Sequence, residues 1–538
     1  MIAEVIPRLR GIRKLEILDY LVPTQGQIEP GMTVEIPFRS QTILGVVVKL
    51  KTSSESKRLK SILRVVNEEA SLSPLQIELV YHLSKRTGAP LSTCLLTVVQ
   101  AGGVGQNKKE SQVVTGPLAE AGKTTIARQR LPMLKKTVAR IQSKKEPVVL
   151  RYDQTQELAA IASLLSTQAK QSLILVPHEE ALLWWKEHLH HLHPVIYSSR
   201  NKITEQRDIF QAVRSGQAKV IIGTRGAIFL PPDHWEAILV VDEEHTSYHQ
   251  DQNPRFQTVE LAAWLAQGLH IPCVLSSQSP RVASAYQFAY IDISQPPSAM
   301  VNLINLQDWW TSGQSGLLTD SLLAWVKEHL PAVLVYNRKG EFRWLRCLDC
   351  QQVSPLGTAE CPHCHSLRLK PSGMGNQKVE QLLKQLLPDL TINRWDADST
   401  TPLPSGDVLL TTSFGLPRIP WKEYRGIGVI SVDHQLAIPD FRTNERTLSF
   451  LTSLIRTNLP VAMQTSSPSH PVITTAISQD YASFYEMELA LRKKLHYPPF
   501  GIVVAYINTN TRAAVVRKFP AESSLPLPPE GSVLDILE

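Results

Sequence analysis

The stretch Ile238-Leu239-Val240-Val241-Asp242-Glu243-Glu244-His245 decides the fold class of this chain. Four apolar residues lead directly into three acids and a histidine. A short apolar run that ends in a loop is typical of a buried parallel strand, and open α/β sheets bind ligands at the carboxyl ends of such strands. In nucleotide motors an aspartate here holds Mg²⁺ and the next acid orients the attacking water. We predict these roles for Asp242 and Glu243; a solvated acidic turn is the alternative.

Composition narrows the class of protein. At 538 residues the chain should contain three or four domains of roughly 150 residues each. No apolar run approaches the roughly 18–20 residues of a membrane span, and the N-terminus lacks the long apolar core of a signal peptide. We therefore expect a cytoplasmic protein without membrane contact. The net charge of +7 permits a nucleic-acid partner without establishing one.

Apolar strand signals alternate with helical ones in two series, which predicts two tandem parallel α/β lobes. The strands of the first series are residues 147–150, 172–176, 219–222, 238–241 and 273–275. The strands of the second series include residues 333–336, 408–410 and 427–433. The predicted fold class is α/β, and the acids after Val241 stand at the functional edge of the first lobe.

The segment after the first strand is unsuited to phosphate. It reads Arg151-Tyr152-Asp153-Gln154-Thr155-Gln156-Glu157 and contains neither glycine nor lysine. Without glycine the backbone cannot curl its N–H groups around phosphates, and without lysine the phosphate charge is unmatched. Residues 121–125, AGKTT, mimic the end of a phosphate loop, but Pro117 replaces its first glycine and no good strand precedes it. We therefore treat ATP and Mg²⁺ as doubtful cofactors.

Four of the six cysteines form two tight pairs, Cys347-Leu-Asp-Cys350 and Cys361-Pro-His-Cys364. In such pairs the backbone N–H groups face the sulfurs, and four thiolates close a tetrahedral structural Zn²⁺ site. We predict one structural zinc, with His363 and His365 as flanking residues. A thiol switch would not need two separate pairs at this spacing.

The N-terminal region differs from the lobes. Residues 1–65 contain short β-branched strands that suggest a small barrel, and residues 71–99 read as a helical stretch capped by Ser71 or Ser73. Basic residues of the first part could line a phosphate-binding face or be ordinary solvated charge. They are Arg8, Arg10, Arg13, Lys14 and Arg39.

The order of these motifs resembles the PriA family of replication-restart helicases over nearly the whole chain. Residues 19–23, 34–38 and 45–47 look like the family's N-terminal domain, which binds the 3′ end of a DNA strand. Residues 222–227 and 241–255 look like the first helicase lobe. The second lobe is matched by residues 337–340, 396–400 and 438–447. The resemblance implies DNA contacts at Asp19, Tyr20, Arg39 and Gly45.

The chain also departs from the family. The phosphate loop is replaced by residues 151–157, and the arginine-finger motif by residues 453–460, in which Arg456 is near but not at the finger position. Losing a finger arginine alone costs about 10³–10⁵ in rate. Asp242, Glu243, Glu244 and His245 are then vestigial. The family normally has eight zinc cysteines, and the four here look like its outer pairs.

The resemblance implies a replication-restart protein that binds branched or 3′-ended DNA and organises primosome assembly without effective ATP hydrolysis. Its expected partners are helicase-loading proteins and single-stranded DNA-binding protein, and we expect a monomer. Two alternatives are an active ATP-dependent 3′–5′ DNA helicase and a zinc-ribbon RNA-binding protein.

The resemblance also divides the chain. The expected domains are a DNA-end-binding domain (1–103), a linker or reduced winged helix (104–146), helicase-like lobe 1 (147–300), lobe 2 (301–475) with a zinc insertion (345–372), and a shortened C-terminal domain (476–538).

Overall fold

The computed structural model of the chain divides into two compact units. Unit 1 comprises Met1–Ser294 and Glu488–Glu538, and unit 2 comprises Gln295–Met487. The described residues are 1–9, 17–23, 27–55, 58–66, 70–100, 129–314, 316–337, 344–350, 353–355, 360–372, 375–397, 399, 402–438, 440–508, 511, 514–520 and 532–536. Most of the predicted linker, with its AGKTT segment, lies outside this set, as do Arg10, Arg13 and Lys14.

Unit 1 begins with a β-barrel, as predicted. Its strands are β1 (Ile2–Pro7), β2 (Leu18–Leu21), β3 (Thr33–Phe38), β4 (Gln41–Lys51), β5 (Lys60–Ser61) and β6 (Arg64–Val65). The sheet order is β5-β2-β1-β4-β3-β6. Because the short segment 60–65 pairs with β2 through Lys60 and with β3 through Val65, it joins the two edges of the sheet.

Two helices follow the barrel rather than one. They are α1 (Pro74–Thr87) and α2 (Leu91–Gln100). Ser73 caps α1 in a reciprocal capping box with Gln76, as predicted for this serine. Gly88 adopts a left-handed φ of 63° and ends the helix, which is the usual role of glycine there. The helical stretch predicted for residues 71–99 is therefore broken at this glycine.

Lobe 1 of unit 1 is a seven-stranded parallel sheet in the order β13-β7-β12-β11-β8-β10-β9. Its strands are β7 (Pro147–Arg151), β8 (Gln171–Leu175), β9 (Val195–Tyr197), β10 (Val220–Gly223), β11 (Trp235–Val240), β12 (Cys273–Ser277) and β13 (Ala289–Asp292). Its helices are α3 (Leu131–Lys144), α4 (Thr155–Gln168), α5 (Glu179–His188), α6 (Ile203–Arg214), α7 (Thr258–Leu269) and α8 (Val282–Gln287).

The two faces of this sheet are buried in different cores. Alternate residues Val149 and Leu175 pack with Leu83 of α1 and Leu95 of α2, and the same cluster includes Ile6 of the barrel. The opposite face packs against α3, α4 and α5. The barrel, α1, α2 and lobe 1 therefore contribute to one apolar core. Each fully buried aliphatic side chain stabilises the fold by about 1.5–3 kcal/mol.

Unit 2 contains lobe 2, a six-stranded parallel sheet in the order β14-β22-β21-β15-β20-β19. Its strands are β14 (Val301–Asn305), β15 (Ala332–Val335), β19 (Ile392–Trp395), β20 (Val408–Thr411), β21 (Gly426–Val429) and β22 (Val461–Thr465). Its helices are α9 (Leu306–Thr311), α10 (Asp320–Glu328), α11 (Asn376–Leu386), α12 (Asp433–Leu436), α13 (Thr443–Ile455) and α14 (Pro471–Ser478). The predicted pair of tandem α/β lobes is confirmed.

Two smaller sheets complete the chain. In unit 2, β16 (Trp344–Cys347), β17 (Val353–Pro355) and β18 (Leu369–Ser372) form an antiparallel ribbon in the order β17-β16-β18. Helix α15 (Tyr481–Leu495) leads from unit 2 into unit 1. There β23 (Gly501–Asn508), β24 (Ala514–Pro520) and β25 (Ser532–Ile536) form the last sheet. Among the described residues, no helix has the length and apolar character needed to cross a membrane.

Candidate functional site

The acids after β11 meet a tyrosine that follows β7. Strand β12 separates β7 from β11, and all three strands run parallel, so their carboxyl ends share one edge of lobe 1. The hydroxyl of Tyr152 donates a hydrogen bond to Oδ1 of Asp242 at 2.5 Å, and the Tyr152 side chain is only 2% exposed. Asp242 has a left-handed φ of 50°. The carboxylate predicted to bind the metal is thus held by a phenol of the same chain.

Burial shifts the ionisation of both partners. It raises the pKa of Asp242, against the opposing effects of the Tyr152 hydrogen bond and of His178. It also raises the pKa of Tyr152 well above its ordinary value, and the charge of Asp242 adds to that shift. The phenol therefore keeps its proton and remains the donor.

Glu243 is bound to Arg281 in the interior. One carboxylate oxygen accepts from the Arg281 backbone N–H at 2.8 Å, and the other from Arg281 Nε at 2.7 Å and from Ser284 Oγ at 2.8 Å. Both residues are buried. An unpaired buried carboxylate would be strongly destabilising, and these contacts compensate the charge of Glu243. No local sequence signal identifies Arg281 as its partner.

Glu244 and His245 complete the acidic stretch. Burial, followed by the charge of Asp242, raises the pKa of Glu244 well above its usual value. Burial and the neighbouring His178 lower the pKa of His245 to about 4, so its imidazole is neutral at pH 7. His245 Nδ1 accepts from the Ser247 backbone N–H at 3.1 Å and caps a short 3₁₀ turn.

The place expected for a phosphate loop contains paired charges. Glu157, in the first turn of α4, is buried, and its oxygens lie 2.6 Å from Nε and 2.6 Å from Nη2 of Arg130. Arg130 Nη2 also donates to the carbonyl of Ile293 at 2.8 Å. Because a carboxylate in the first turn interacts favourably with the helix N-terminus, Glu157 occupies the electrostatic position that phosphate would need. Arg130 precedes α3, in the predicted linker, and sequence reasoning missed it.

The predicted zinc ligands come together in the ribbon. The sulfurs of Cys347, Cys350, Cys361 and Cys364 all lie within 4.8 Å of one another. Two sulfur pairs, Cys347 with Cys364 and Cys350 with Cys361, are each 3.5 Å apart. Zn–S bonds of about 2.3 Å in a tetrahedron require sulfurs roughly 3.8 Å apart. The cluster has the ligand number and spacing to bind a metal ion.

Backbone donors prepare two of these sulfurs for a metal. The N–H groups of Cys350 and Asp349 lower the pKa of Cys347 to about 6. The N–H groups of Cys364 and His363 lower the pKa of Cys361. His365 instead lies 3.1 Å from Glu360 at the surface. His365 therefore lies beside the four-cysteine cluster and contacts Glu360 instead.

The barrel has a pocket of about 890 Å³ that contains three of the four residues expected to contact DNA. Its lining comprises Glu4, Ile17, Leu18, Asp19, Tyr20, Pro37, Phe38, Arg39, Lys51, Ser53, Ser54, Glu55, Arg58 and Lys60. Gly45 is not part of this lining. It pairs with Val34 in the sheet, and a Cβ there would lie 2.4 Å from Val5, so its place is explained by packing.

Asp19 in the pocket is held by a lysine and a serine. Its Oδ1 lies 2.8 Å from Lys51 Nζ, which also binds Glu4 at 2.8 Å, and Ser54 Oγ donates to Oδ2. Burial alone would raise the pKa of Asp19, but the hydrogen bonds from Lys51 and Ser54 outweigh it and leave the pKa below its usual value. Asp19 is therefore an ionised acceptor at neutral pH.

Basic residues also line the pocket. Arg39 has a φ of 52°, and its guanidinium lies 5.5 Å from the centre of the Phe38 ring. Lys60 Nζ donates to the Arg39 carbonyl at 3.3 Å. Tyr20 is buried, and its hydroxyl donates to the Pro37 carbonyl at 3.2 Å. Sequence reasoning missed Lys51 and Lys60, because their nearness to Asp19 depends on strand pairing.

Comparison with known proteins agrees with this architecture. Residues 10–100 match a family model described as the 3′DNA-binding domain (3′BD). The Replication restart protein PriA of Bacillus subtilis is 26% identical over 353 residues, which are 55% of this chain and 44% of that protein. The PriA of Borreliella burgdorferi is 22% identical, covering 86% of this chain and 80% of that protein. The PriA of Treponema pallidum is 24% identical, covering 90% and 83%.

A solved DEAD box protein from Methanococcus jannaschii covers 67% of this chain and 89% of its own, with 10% identity and a TM-score of 0.30. The chain thus combines two parallel α/β lobes, a four-cysteine ribbon and a region that matches a 3′DNA-binding domain. The chain is similar to PriA replication restart proteins along most of its length, and its N-terminal region matches the 3′DNA-binding domain model. It spans less than half the length of the Bacillus relative.

Proposed function

We propose that this chain is a replication restart protein that binds forked or 3′-ended DNA through the barrel pocket and does not hydrolyse ATP effectively. One contrast carries the proposal. The pocket around Asp19 is open and charged, whereas the nucleotide edge of lobe 1 is filled by the chain's own side chains.

The pocket supports recognition of a strand end. An ionised Asp19 accepts a hydrogen bond from a 3′-hydroxyl but repels a 3′-phosphate. Arg39 and Lys60, which also line the pocket, offer positive charge to the phosphates that precede the terminal nucleotide. A DNA strand with a free 3′-hydroxyl matches this division of charge.

Loss of ATP hydrolysis is supported at three points of lobe 1. Asp242 is held by Tyr152, Glu243 by Arg281, and the first turn of α4 carries the Glu157–Arg130 pair. Phosphoryl transfer needs a loop lysine, a metal acid and a finger arginine. Arg456, the nearest arginine to the finger position, donates to the carbonyl of Gln295 at 3.1 Å and to Gln479 at 2.9 Å. Each of these groups serves the structure instead.

The ribbon supports a structural rather than a catalytic metal. Four protein thiolates would complete the coordination of Zn²⁺ and leave no open position for water. We assign one structural zinc to Cys347, Cys350, Cys361 and Cys364. A chain without a motor contributes to restart by binding DNA and assembling others, and we propose primosome proteins, helicase loaders and single-stranded DNA-binding protein as partners of a monomer.

The end-binding half is tested by fluorescence anisotropy on forked DNA. We expect tighter binding to a fork with a 3′-hydroxyl than to one with a 3′-phosphate, and loss of that difference in Asp19→Asn. Glu35→Gln, which removes an acid of the same barrel outside the pocket lining, should keep the difference. Point variants are preferable to trimming residues 1–65, because the barrel shares a core with lobe 1.

The nucleotide half is tested by calorimetry with ATP and by steady-state ATPase assays with forked DNA. We expect no DNA-stimulated turnover, and no difference between the natural chain and Asp242→Asn. DNA-stimulated turnover that disappears in Asp242→Asn would establish the active helicase instead. Stronger binding to single-stranded RNA than to forked DNA would favour an RNA-binding protein.

A further inference from the structure

An aromatic side chain and a guanidinium stand together at the carboxyl end of β20. Phe414 is 45% exposed, the highest exposure among the described phenylalanines, and follows the strand by three residues. The guanidinium carbon of Arg418 lies 4.4 Å from the centre of the Phe414 ring. An apolar ring that stays in contact with water does not stabilise the fold. The contacts of the loop around Phe414 therefore indicate whether the ring is held in this exposed position.

The loop that presents Phe414 is fixed on both sides of the ring. The Ser413 backbone N–H donates to Oδ1 of Asn337, which follows β15, at 2.6 Å. Gly415 is buried, and a Cβ there would lie 2.3 Å from Thr411 Oγ1 and 3.2 Å from the Trp395 ring. The backbone is therefore pressed onto β19 and β20 immediately beside an exposed phenylalanine. The ring is preorganised in its exposed position.

The same loop carries an excess of positive charge. Between residues 412 and 424 the basic residues are Arg418 and Lys422, and Glu423 is the acid. Both basic residues are exposed. A protein-binding patch would need a larger contiguous apolar surface, whereas Phe414 is flanked by Ser413 and a cation. An exposed ring beside phosphate-binding charge is the combination that binds unpaired nucleotides.

We propose that Phe414 and Arg418 form a stacking site for an unpaired base of a DNA strand, with Lys422 binding a phosphate of that strand. The proposal rests on the proposed function in that DNA is the ligand. It adds a second contact, in lobe 2, that reads single-stranded character rather than a 3′ end. The site needs no nucleotide triphosphate.

The test uses the full chain and an oligothymidylate with a 3′-phosphate, which removes any contribution from a free 3′-hydroxyl. Stacking on one aromatic ring accounts for about a five-fold to a hundred-fold change in affinity, so Phe414→Ala should weaken binding by that factor. Phe414→Trp should retain affinity, and its added fluorescence should be quenched by the oligonucleotide. Trp310→Ala is the matched control, because Trp310 is 43% exposed on α9, which follows the strand at the other edge of the sheet.

The outcomes separate this site from the barrel pocket. Weaker oligonucleotide binding in Phe414→Ala, with the 3′-hydroxyl preference on forks intact, supports the stacking site. Equal affinity of Phe414→Ala and the natural chain, or an equal loss in Trp310→Ala, overturns it. Absence of any 3′-hydroxyl preference in the natural chain would refute the end-binding proposal. The change in oligothymidylate affinity caused by Phe414→Ala would still decide the stacking proposal.

Discussion

The Tyr152 hydroxyl and the Asp242 carboxylate, 90 residues apart, are joined by a hydrogen bond of 2.5 Å across the carboxyl edge of lobe 1. A carboxylate that binds Mg²⁺ through water needs open space in front of its oxygens. Here a buried phenol stands at one of those oxygens. The Asp242 carboxylate therefore takes part in an internal hydrogen bond at the position where the sequence predicts a metal-binding acid.

Tyr152→Phe should destabilise the chain at neutral pH. The Tyr152 hydrogen bond lowers the pKa of Asp242, which burial raises, so its removal raises that pKa further. A hydrogen bond to a charged group contributes about 1.5–3 kcal/mol. This loss should be present above the pKa of Asp242, where the carboxyl is ionised, and should shrink as the pH falls and Asp242 is protonated. Urea unfolding at neutral and acidic pH measures both values.

Tyr248→Phe is the control for this experiment. Tyr248 is also buried, but its hydroxyl donates to the neutral carbonyls of Val241 at 2.7 Å and Leu175 at 3.1 Å. Its loss should cost stability to a similar extent at both pH values. A pH-independent cost for Tyr152→Phe as well would mean that Asp242 is not the group responsible.

Removing one partner of the Glu243–Arg281 pair should be strongly destabilising. Arg281→Met leaves the Glu243 carboxylate buried without its cation, which typically costs about 3–5 kcal/mol. The double variant Glu243→Gln with Arg281→Met should lose less than the sum of the two single variants, because it leaves no uncompensated charge. Chemical denaturation of the four proteins gives the coupling. Strict additivity would contradict the role assigned to this pair.

Cys347→Ser should remove zinc from the chain and loosen the ribbon of unit 2. A hydroxyl replaces a thiolate at one of four ligand positions, and structural zinc contributes directly to folding free energy. Elemental analysis should show about one zinc per natural chain and a clear loss in the variant, with a lower melting temperature. His365→Ala, beside the cluster, should keep the metal. Equal metal content in natural and Cys347→Ser chains would rule the site out.

Lys60→Met should weaken binding to every DNA ligand by a similar factor. A lysine that contacts phosphate contributes through counterion release, so its loss should reduce the slope of log affinity against log salt by about 0.7–0.9. The ratio between 3′-hydroxyl and 3′-phosphate forks should stay unchanged, unlike in Asp19→Asn. Salt titrations with both forks measure the two effects. An unchanged salt slope would place Lys60 outside the DNA contact.

The parts of the fold that sequence predicted are those with local signals. Apolar runs revealed the parallel strands, the two C-x-x-C pairs revealed the four-cysteine cluster, and Ser73 was correctly expected as a possible cap of α1. The break at Gly88 was missed, because an apolar stripe continues on both sides of it and only the backbone conformation ends the helix.

The side chains that pair with the acids of lobe 1 could not be predicted from the sequence. Tyr152 and Asp242 are separated by α4 and several strands, and Arg130 reaches Glu157 from the segment expected to be a linker. No local periodicity reports such pairings, because they depend on how β7, β11 and β12 are ordered in the sheet. The absence of glycine and lysine in residues 151–157 was visible in the sequence, but the side chains that fill the space were not.

The apolar cluster that includes Ile6, Leu83 and Val149 links the folding of lobe 1 to the N-terminal part of the chain. A nucleotide site can decay one surface residue at a time while the sheet beneath it persists. Removing the barrel together with α1 and α2 would expose the apolar side chains on that face of lobe 1 to water. Folding of lobe 1 therefore depends on the same N-terminal segment that carries the Asp19 pocket.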